Sequence, residues 1–404
     1  MVKEGYKQSE LGVIPKNWDV CVLGDAAEFL DGKRRPIKDS ERARIRGEIP
    51  YYGASGIVDY VNNYLFNEDL ILLGEDGENI LSRNCRLAFL ISGKSWVNNH
   101  AHVLRPKSEF DIRYLTEYLE SLDYKQYNTG SAQPKLNKKV CAGIPIAKPP
   151  VSEQKAIAQA LSDVDATIAE LDRLITKKRN IKQGATQQLL TGKKRLPGFS
   201  DEWEEKNLGD IVKVIDGDRG ANYPSNDELF DTGYCLFLSA KNVTKEGFRF
   251  RECTFITKEK YNLLSKGKLI RNDVILTTRG TVGNIAFFDN SVLFDHIRIN
   301  SGMVILRNES NYLDTTYLYI ILKSAIVQNQ IDRIVFGSAQ PQLTVKGINL
   351  FNIPFPPFSE QKAIAQFLTD MDAEIEALEQ KRDKYKAIKQ GMMQELLTGR
   401  TRLV

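Results

Sequence analysis

At 404 residues the chain exceeds one typical domain, and a hydrophobic share of 42% is enough to build cores, which excludes a disordered polymer. No run approaches the roughly 20 apolar residues of a membrane span. The opening Met1-Val2-Lys3-Glu4-Gly5-Tyr6 has no apolar signal segment, and the five cysteines form no CxxC pair. A reduced, cytoplasmic, multidomain protein is expected, and the net charge of +4 permits a nucleic-acid partner without arguing for one.

In chain order, Trp18-Asp19, Leu23-Gly24-Asp25 and Asp31-Gly32 open the first half. Short apolar or β-branched stretches follow at Tyr51-Tyr52, Leu70 to Leu73 and Leu87 to Ile91, bounded by Gly, Asn and Asp. They read as strands of a twisted antiparallel sheet, and Asn98-Asn99-His100-Ala101-His102 reads as a further strand. Ile112 to Leu122 has a helical pattern, and a GSAQP loop begins at Gly130. After Pro149-Pro150, which cannot sit inside a helix, Ser152 is the expected N-cap of a long helix, with Glu153 in the first turn where the dipole favours it. Ile157, Leu161, Val164, Ile168, Leu171 and Ile175 step by four and three, a heptad seam. Gly184 is a place where the helix could bend, and Gly192 stands where a C′ glycine belongs.

The second half repeats this plan. Trp203-Glu204, Leu208-Gly209-Asp210 and Asp216-Gly217 match the opening anchors, and Val274 to Thr278 and Ile285 to Phe288 read as strands. A helix is expected over Thr315 to Gln330. GSAQP recurs at Gly337, which is 207 positions after Gly130, and that offset holds without a gap to the chain's end. PPVSEQKAIAQALSDVDATI matches PPFSEQKAIAQFLTDMDAEI, and IKQGATQQLLTGKKRL matches IKQGMMQELLTGRTRL. The second helix runs from Ser359 past Gly391 to Gly399, with Ile364, Leu368, Met371, Ile375, Leu378 and Tyr385 on its seam. Between the anchors the halves diverge, and the second is 22 residues longer. A duplicated scaffold thus carries two different surfaces.

This arrangement gives an α+β fold: two mixed α/β domains separated by two long helices that pair as an antiparallel coiled coil with pseudo-two-fold symmetry. The expected divisions are 1–150, 151–197, 198–357 and 358–404. Heptad seams commonly mediate homodimerisation, but two equivalent seams in one chain can pair with each other.

Alternating variable domains and near-identical helices, the GSAQP loop, the junction IPIAKPPVSEQKAIAQAL and the LLTG helix end together resemble the specificity subunits of type I restriction-modification systems. The resemblance spans essentially the whole chain. It implies that the variable parts are target recognition domains, each reading half of a bipartite, interrupted site in double-stranded DNA. It also implies that the helices set the spacer and dock two modification (adenine methyltransferase) subunits, which restriction (nuclease/translocase) subunits join. By the same resemblance the chain binds no cofactor, and S-adenosylmethionine, ATP and Mg belong to partners. An assembly scaffold without DNA readout is the alternative, and the diverged variable domains argue against it.

Candidate DNA-reading residues come from side-chain chemistry alone. In VILTTRGTVGN, Arg279 suits a guanine edge or a phosphate, with a structural ion pair as the other reading, and Thr281 and Asn284 share its loop. The matching first-half stretch is acidic: Glu75 and Asp76 could accept from cytosine N4 or form an ordinary turn. Asn98 and Asn99 suit adenine, and His100 suits DNA or structural hydrogen bonding more than zinc, because HxH lacks a third ligand. His296 and Arg298 lie in the corresponding stretch of the second half. Gln133 and Gln340, unchanged between copies, suit phosphates or packing; Lys33, Arg34, Arg35 and Lys241 are further phosphate candidates.

No catalytic set appears. The proline pairs lack the acidic or amide residue of an adenine-methyltransferase pocket, Asp216-Gly217-Asp218-Arg219-Gly220 is weak as a phosphate loop, and no P-loop exists. Glu153-Gln154-Lys155 imitates a nuclease ExK but has no upstream catalytic aspartate in an evident strand.

Overall fold

The strand Leu70–Gly74 is buried at every position because both of its faces are covered. Ile71 and Leu73 join the core beneath the helix Ile112–Ser121, whereas Leu70 and Leu72 pack with Phe66, Ile91, Val97 and Val103 on the other side. A two-sided strand reads as a continuous apolar run instead of an alternating one. The computed structural model describes residues 2–335 and 342–403. The chain divides into two units, one of residues 1–173 with 379–404 and the other of residues 174–378.

In the first unit an antiparallel sheet runs Ala27–Phe29, Ala101–Pro106, Leu70–Gly74, Ala88–Ile91. A second sheet runs Gly56–Val61, Arg46–Gly53, Lys94–Val97, Phe66–Asn67. Within it Lys94–Val97 lies parallel to Arg46–Gly53, with Trp96 opposite Tyr51. The expectation of purely antiparallel sheet fails at that pair, because the long stretch between the two strands leaves room for a crossover.

The second unit repeats this order with Lys213–Asp216, Met303–Arg307, Val274–Thr277 and Ile285–Phe287. Its second sheet again contains a parallel pair, Cys235–Leu238 beside Ile297–Ile299. Val274 and Leu276 face the helix-side core and Ile275 the inter-sheet core, matching Ile71, Leu73 and Leu72. The helix expected over Thr315 to Gln330 is two, Thr315–Lys323 and Ala325–Val335. Ser324 takes an extended conformation between them, and its hydroxyl donates back to the Ile321 carbonyl.

The long helices are Val151–Leu190 and Phe358–Leu396. Each starts one residue before its serine, so Ser152 and Ser359 lie in the first turn and are not N-caps. Both run unbroken through Gly184 and Gly391, where a bend was conceivable. Gly192 and Gly399, at φ +66° and +70°, follow the helix ends in the left-handed conformation. In the first unit, Lys389 pairs with Asp165 at 2.6 Å and Arg382 with Asp172 at 3.4 Å. In the second, Lys178 pairs with Glu374 at 2.7 Å and Lys182 with Asp372. Rising numbers on one helix meet falling numbers on the other, so the pairing inside each unit is antiparallel. The seam serves two purposes, since Ile157, Leu161, Ile364 and Leu368 pack into the domain cores.

The repeated Trp and SEQ motifs meet at one buried carboxylate per unit. Glu153 is fully buried and accepts from Trp18 Nε1 at 2.8 Å and from the Arg402 guanidinium. Glu360 likewise accepts from Trp203 Nε1 at 2.9 Å and from two Arg195 nitrogens at 2.5 Å. Gln154 and Gln361 beside them accept from the amides of Asp111 and Asp314, which cap the next helix. Glu153 therefore has a structural role, and the nuclease-like spacing is incidental.

Candidate nucleic-acid interface

In each unit the two parallel strands and the central strand deliver three adjacent turns, after Gly53, Val97 and Gly74 in the first and after Leu238, Ile299 and Thr277 in the second, as ligand sites in α/β sheets gather at the carboxyl ends of strands. The frame is held by backbone bonds. In the first unit the Glu75 amide donates to the His100 carbonyl at 2.8 Å, and Leu136 donates to the Glu75 carbonyl at 2.7 Å. In the second, Thr278 donates to Gly302 at 2.8 Å and Leu343 to Thr278 at 3.0 Å. Asn98 Oδ1 accepts from the His100 amide at 2.8 Å, just as Asn300 Oδ1 accepts from Gly302 at 2.9 Å. These bonds make Glu75 equivalent to Thr278, Asp76 to Arg279, His100 to Gly302 and Lys135 to Gln342. The strand expected through Asn98-Asn99-His100 stops at Val97, and those residues form the turn. In the GSAQP loop a Cβ at Gly130 would lie 1.8 Å from the Gln133 carbonyl, so only glycine closes it. Gln340 lies outside the described residues.

Around this frame the first unit presents His100, half exposed, with Nδ1 2.9 Å from both oxygens of Asp76. Lys33, Arg35, Asn99 and Gln133 are exposed nearby in sequence or across the turns. Asn98 is buried, with its side-chain carbonyl committed to the turn. Arg34 and Glu75 face inward: Arg34 NH1 donates to Glu75 Oε2 at 2.6 Å and to the Ala101 carbonyl at 2.7 Å. His102, not singled out for DNA, is buried with Nδ1 2.8 Å from Asp31 and Nε2 2.8 Å from the Leu136 carbonyl. Both partners are acceptors, so both ring nitrogens carry protons. Burial opposes that charge, but the hydrogen bond to the Asp31 carboxylate and the neighbouring Cys141 together outweigh it, and the pKa is pushed up to about 10.

The second unit presents Arg279 and Thr281, both exposed, on a loop whose Gly280 has φ +72°. Turned with its oxygen toward Arg279, the Gln342 amide accepts from NH2 at 2.8 Å and Nε at 3.2 Å. Lys241 is 79% exposed, 3.2 Å from Glu252. Asn284 braces the loop from below, donating to the Val243 carbonyl at 2.9 Å. Two expected residues stand elsewhere. Arg298 is buried, with NH1 donating to the Lys266 carbonyl and NH2 to those of Tyr261 and Leu264, while Nε is buried without a partner, so the guanidinium is turned into the fold. His296 stacks on Tyr234 at 4.3 Å, at the opposite end of the Ile297–Ile299 strand from the Asn300 turn. Arg219 was missed: it is 47% exposed, bonded to Asp216 at 3.2 Å and facing the Ser301 carbonyl. The signal was available, because Asp216-Gly217-Asp218-Arg219 aligns with Asp31-Gly32-Lys33-Arg34.

Residues 15–182 and 200–387 each match the family model described as the type I restriction modification DNA specificity domain. The chain belongs to the type I restriction-modification specificity subunits. A putative type I restriction enzyme specificity subunit of Haemophilus influenzae is 28% identical over 355 residues, covering 86% of this chain and 85% of the relative. The MjaVIII specificity subunit of Methanocaldococcus jannaschii is 25% identical over 430 residues, covering 99% and 97%. In fold, the chain is similar to the crystal structure of a type I S subunit from M. genitalium, with TM-score 0.61, 16% identity and coverage of 94% and 96%. It is also similar to a chain from a structure of type I R-M complex assembly and conformational transition, with TM-score 0.58, 15% identity and coverage of 96% and 99%. Specificity subunits are DNA-binding and non-catalytic. Among the described residues no three His, Cys, Asp or Glu side chains group as metal ligands, and no helix is long and apolar enough to cross a membrane.

Proposed function

We propose that each unit reads one half of a bipartite, interrupted DNA site through the three-turn frame described above. One observation carries this reading. The same backbone position holds Asp76 in one unit and Arg279 in the other, on frames with matching hydrogen bonds. A position that keeps its scaffold and reverses its charge suits recognition of different bases, since a guanidinium matches the acceptors of guanine and a carboxylate the amino groups of cytosine. Lys33, Arg35, Lys241 and Arg219 supply positive charge for phosphates around it. The paired helices dock two modification subunits and set the unspecified spacer, and restriction subunits join that core in the cytoplasm. S-adenosylmethionine, ATP and Mg act on those partners.

Binding to a panel of single-base variants tests the reading. With Arg279→Ala, one base position in one half-site should lose about 1–3 kcal/mol of discrimination, with the other half unaffected. A uniform loss across all sequences would reassign Arg279 to a phosphate. No loss at all would remove it from the interface.

A further inference from the structure

The aligned Asp-Gly-x-Arg motifs place Arg34 and Arg219 at equivalent positions, yet their guanidiniums end in different places. Arg34 is 13% exposed and Arg219 47%. The surroundings differ at two equivalent positions. Beside Arg34 stand Glu75, whose Oε2 is 2.6 Å from NH1, and the buried His102, whose Nδ1 is 3.7 Å from the same carboxylate. In the second unit these positions are Thr278 and Val304, both buried, and neither offers a charge. Asp31 and Asp216 are common to both units, each within reach of its arginine at 3.7 and 3.1 Å. The aspartate therefore cannot explain the difference, whereas Glu75 can: a partly buried carboxylate supplies a charge-assisted bond that draws the guanidinium inward.

We propose that Glu75 is a positioning residue for DNA recognition, holding Arg34 off the reading face of the first unit and so fixing which charges that half-site meets. The inference rests on the half-site reading above. His102 makes the arrangement tolerable, because its imidazolium lies between the carboxylates of Asp31 and Glu75. Without it, the two carboxylates would have only Arg34 between them, with the half-exposed Lys135 3.5 Å from the outer oxygen of Glu75. The second unit, lacking both the glutamate and the histidine, leaves Arg219 at the surface beside the Ser301 turn. The duplicated scaffold thus varies its recognition surface from beneath as well as by exchanging exposed side chains.

The test converts the first unit to the second unit's composition in the full chain assembled with its partner subunits. The variant Glu75→Thr with His102→Val should release Arg34 toward DNA. The expected result is a steeper salt dependence of binding, by about 0.9 in log–log slope for one added ionic contact, or about tenfold altered preference at one base of the first half-site. Selectivity at the second half-site should stay unchanged, which also reports that the complex is intact. Adding Arg34→Ala should cancel the change, as a purely structural effect of Glu75 would not. An unchanged slope and first-half preference, or a change that persists without Arg34, overturns the proposal. A second variant covers the case in which the exchanged pair destabilises the unit. Arg34→Gln in the parent should leave the salt slope unchanged, and a fall of about 0.9 would show that Arg34 already touches DNA. If the parent complex shows no base preference at all, the half-site reading itself fails.

Discussion

Replacing Glu153 by alanine should lower the stability of the first unit by about 3 kcal/mol. The carboxylate is fully buried and holds Trp18 Nε1 and the Arg402 guanidinium. Removing it leaves the Trp18 N–H, on a residue with no exposure, without an acceptor, which costs about 1–3 kcal/mol. Breaking a buried pair by deleting one partner costs about 3–5 kcal/mol. The lower end applies here, because the Arg402 side chain is 26% exposed and its charge can turn to water. For a unit of about 200 residues this corresponds to a melting shift of about 6–12 °C. Differential scanning calorimetry of the parent, Glu153→Ala and the neighbouring exposed Lys155→Ala would check it. Lys155→Ala should melt with the parent, and Glu360→Ala should reproduce the loss in the second unit. A shift below about 2 °C for Glu153→Ala would refute the argument that this carboxylate locks the helix start to both flanking segments.

Three further outcomes follow from the same geometry. His102 has its folded pKa raised to about 10, against 6.5 for the free side chain, so its stabilisation is complete below about pH 6.5 and disappears as pH rises through 10. In thermal melts the parent should therefore lose stability relative to His102→Val between those limits, and parallel curves would show that the ring is not protonated in the fold. Native mass spectrometry of the chain co-expressed with a methyltransferase partner should show one chain with two partners, since the helix pairing recurs in both units; a one-to-one assembly alone would count against it. Inserting four residues after Ile175 adds about 6 Å of helix, so the modified motif should gain one or two unspecified bases at about 3.4 Å each while both halves stay the same. An unchanged spacer with full activity would remove the helices from that role.

The parts of the fold written in periodicity were legible in the sequence. The heptad steps, the glycines that end LLTG and the 207-residue offset specify the long helices and the duplication, because helix ends and seams are local chemistry. The parallel strand pair was not legible, since a strand's direction depends on the path of the chain between distant segments. Among the site residues, Arg279 and Asp76 could be aligned from their loops, and the frame gives them the same position. Arg298 and His296 looked equally suitable as a basic and an aromatic residue on a strand. Side-chain direction sent the first into the interior and strand direction put the second at the far end. Arg219 sits in a motif that is weak as a phosphate loop, and its likeness to Asp31-Gly32-Lys33-Arg34 shows only when the two halves are aligned. The inward turn of Arg34 depends on Glu75, 41 positions away, which local sequence does not reveal.

The most direct measurement of the central claim is the pattern of modified adenines in cells carrying this chain with its methyltransferase partner. It should be compared with cells in which residues 198–357 are exchanged for the corresponding part of a relative. The account predicts a single interrupted motif with two specified halves and a fixed unspecified spacer, of which the exchange alters one half and leaves the other half and the spacer intact. A continuous motif, or an exchange that alters both halves together, would contradict it.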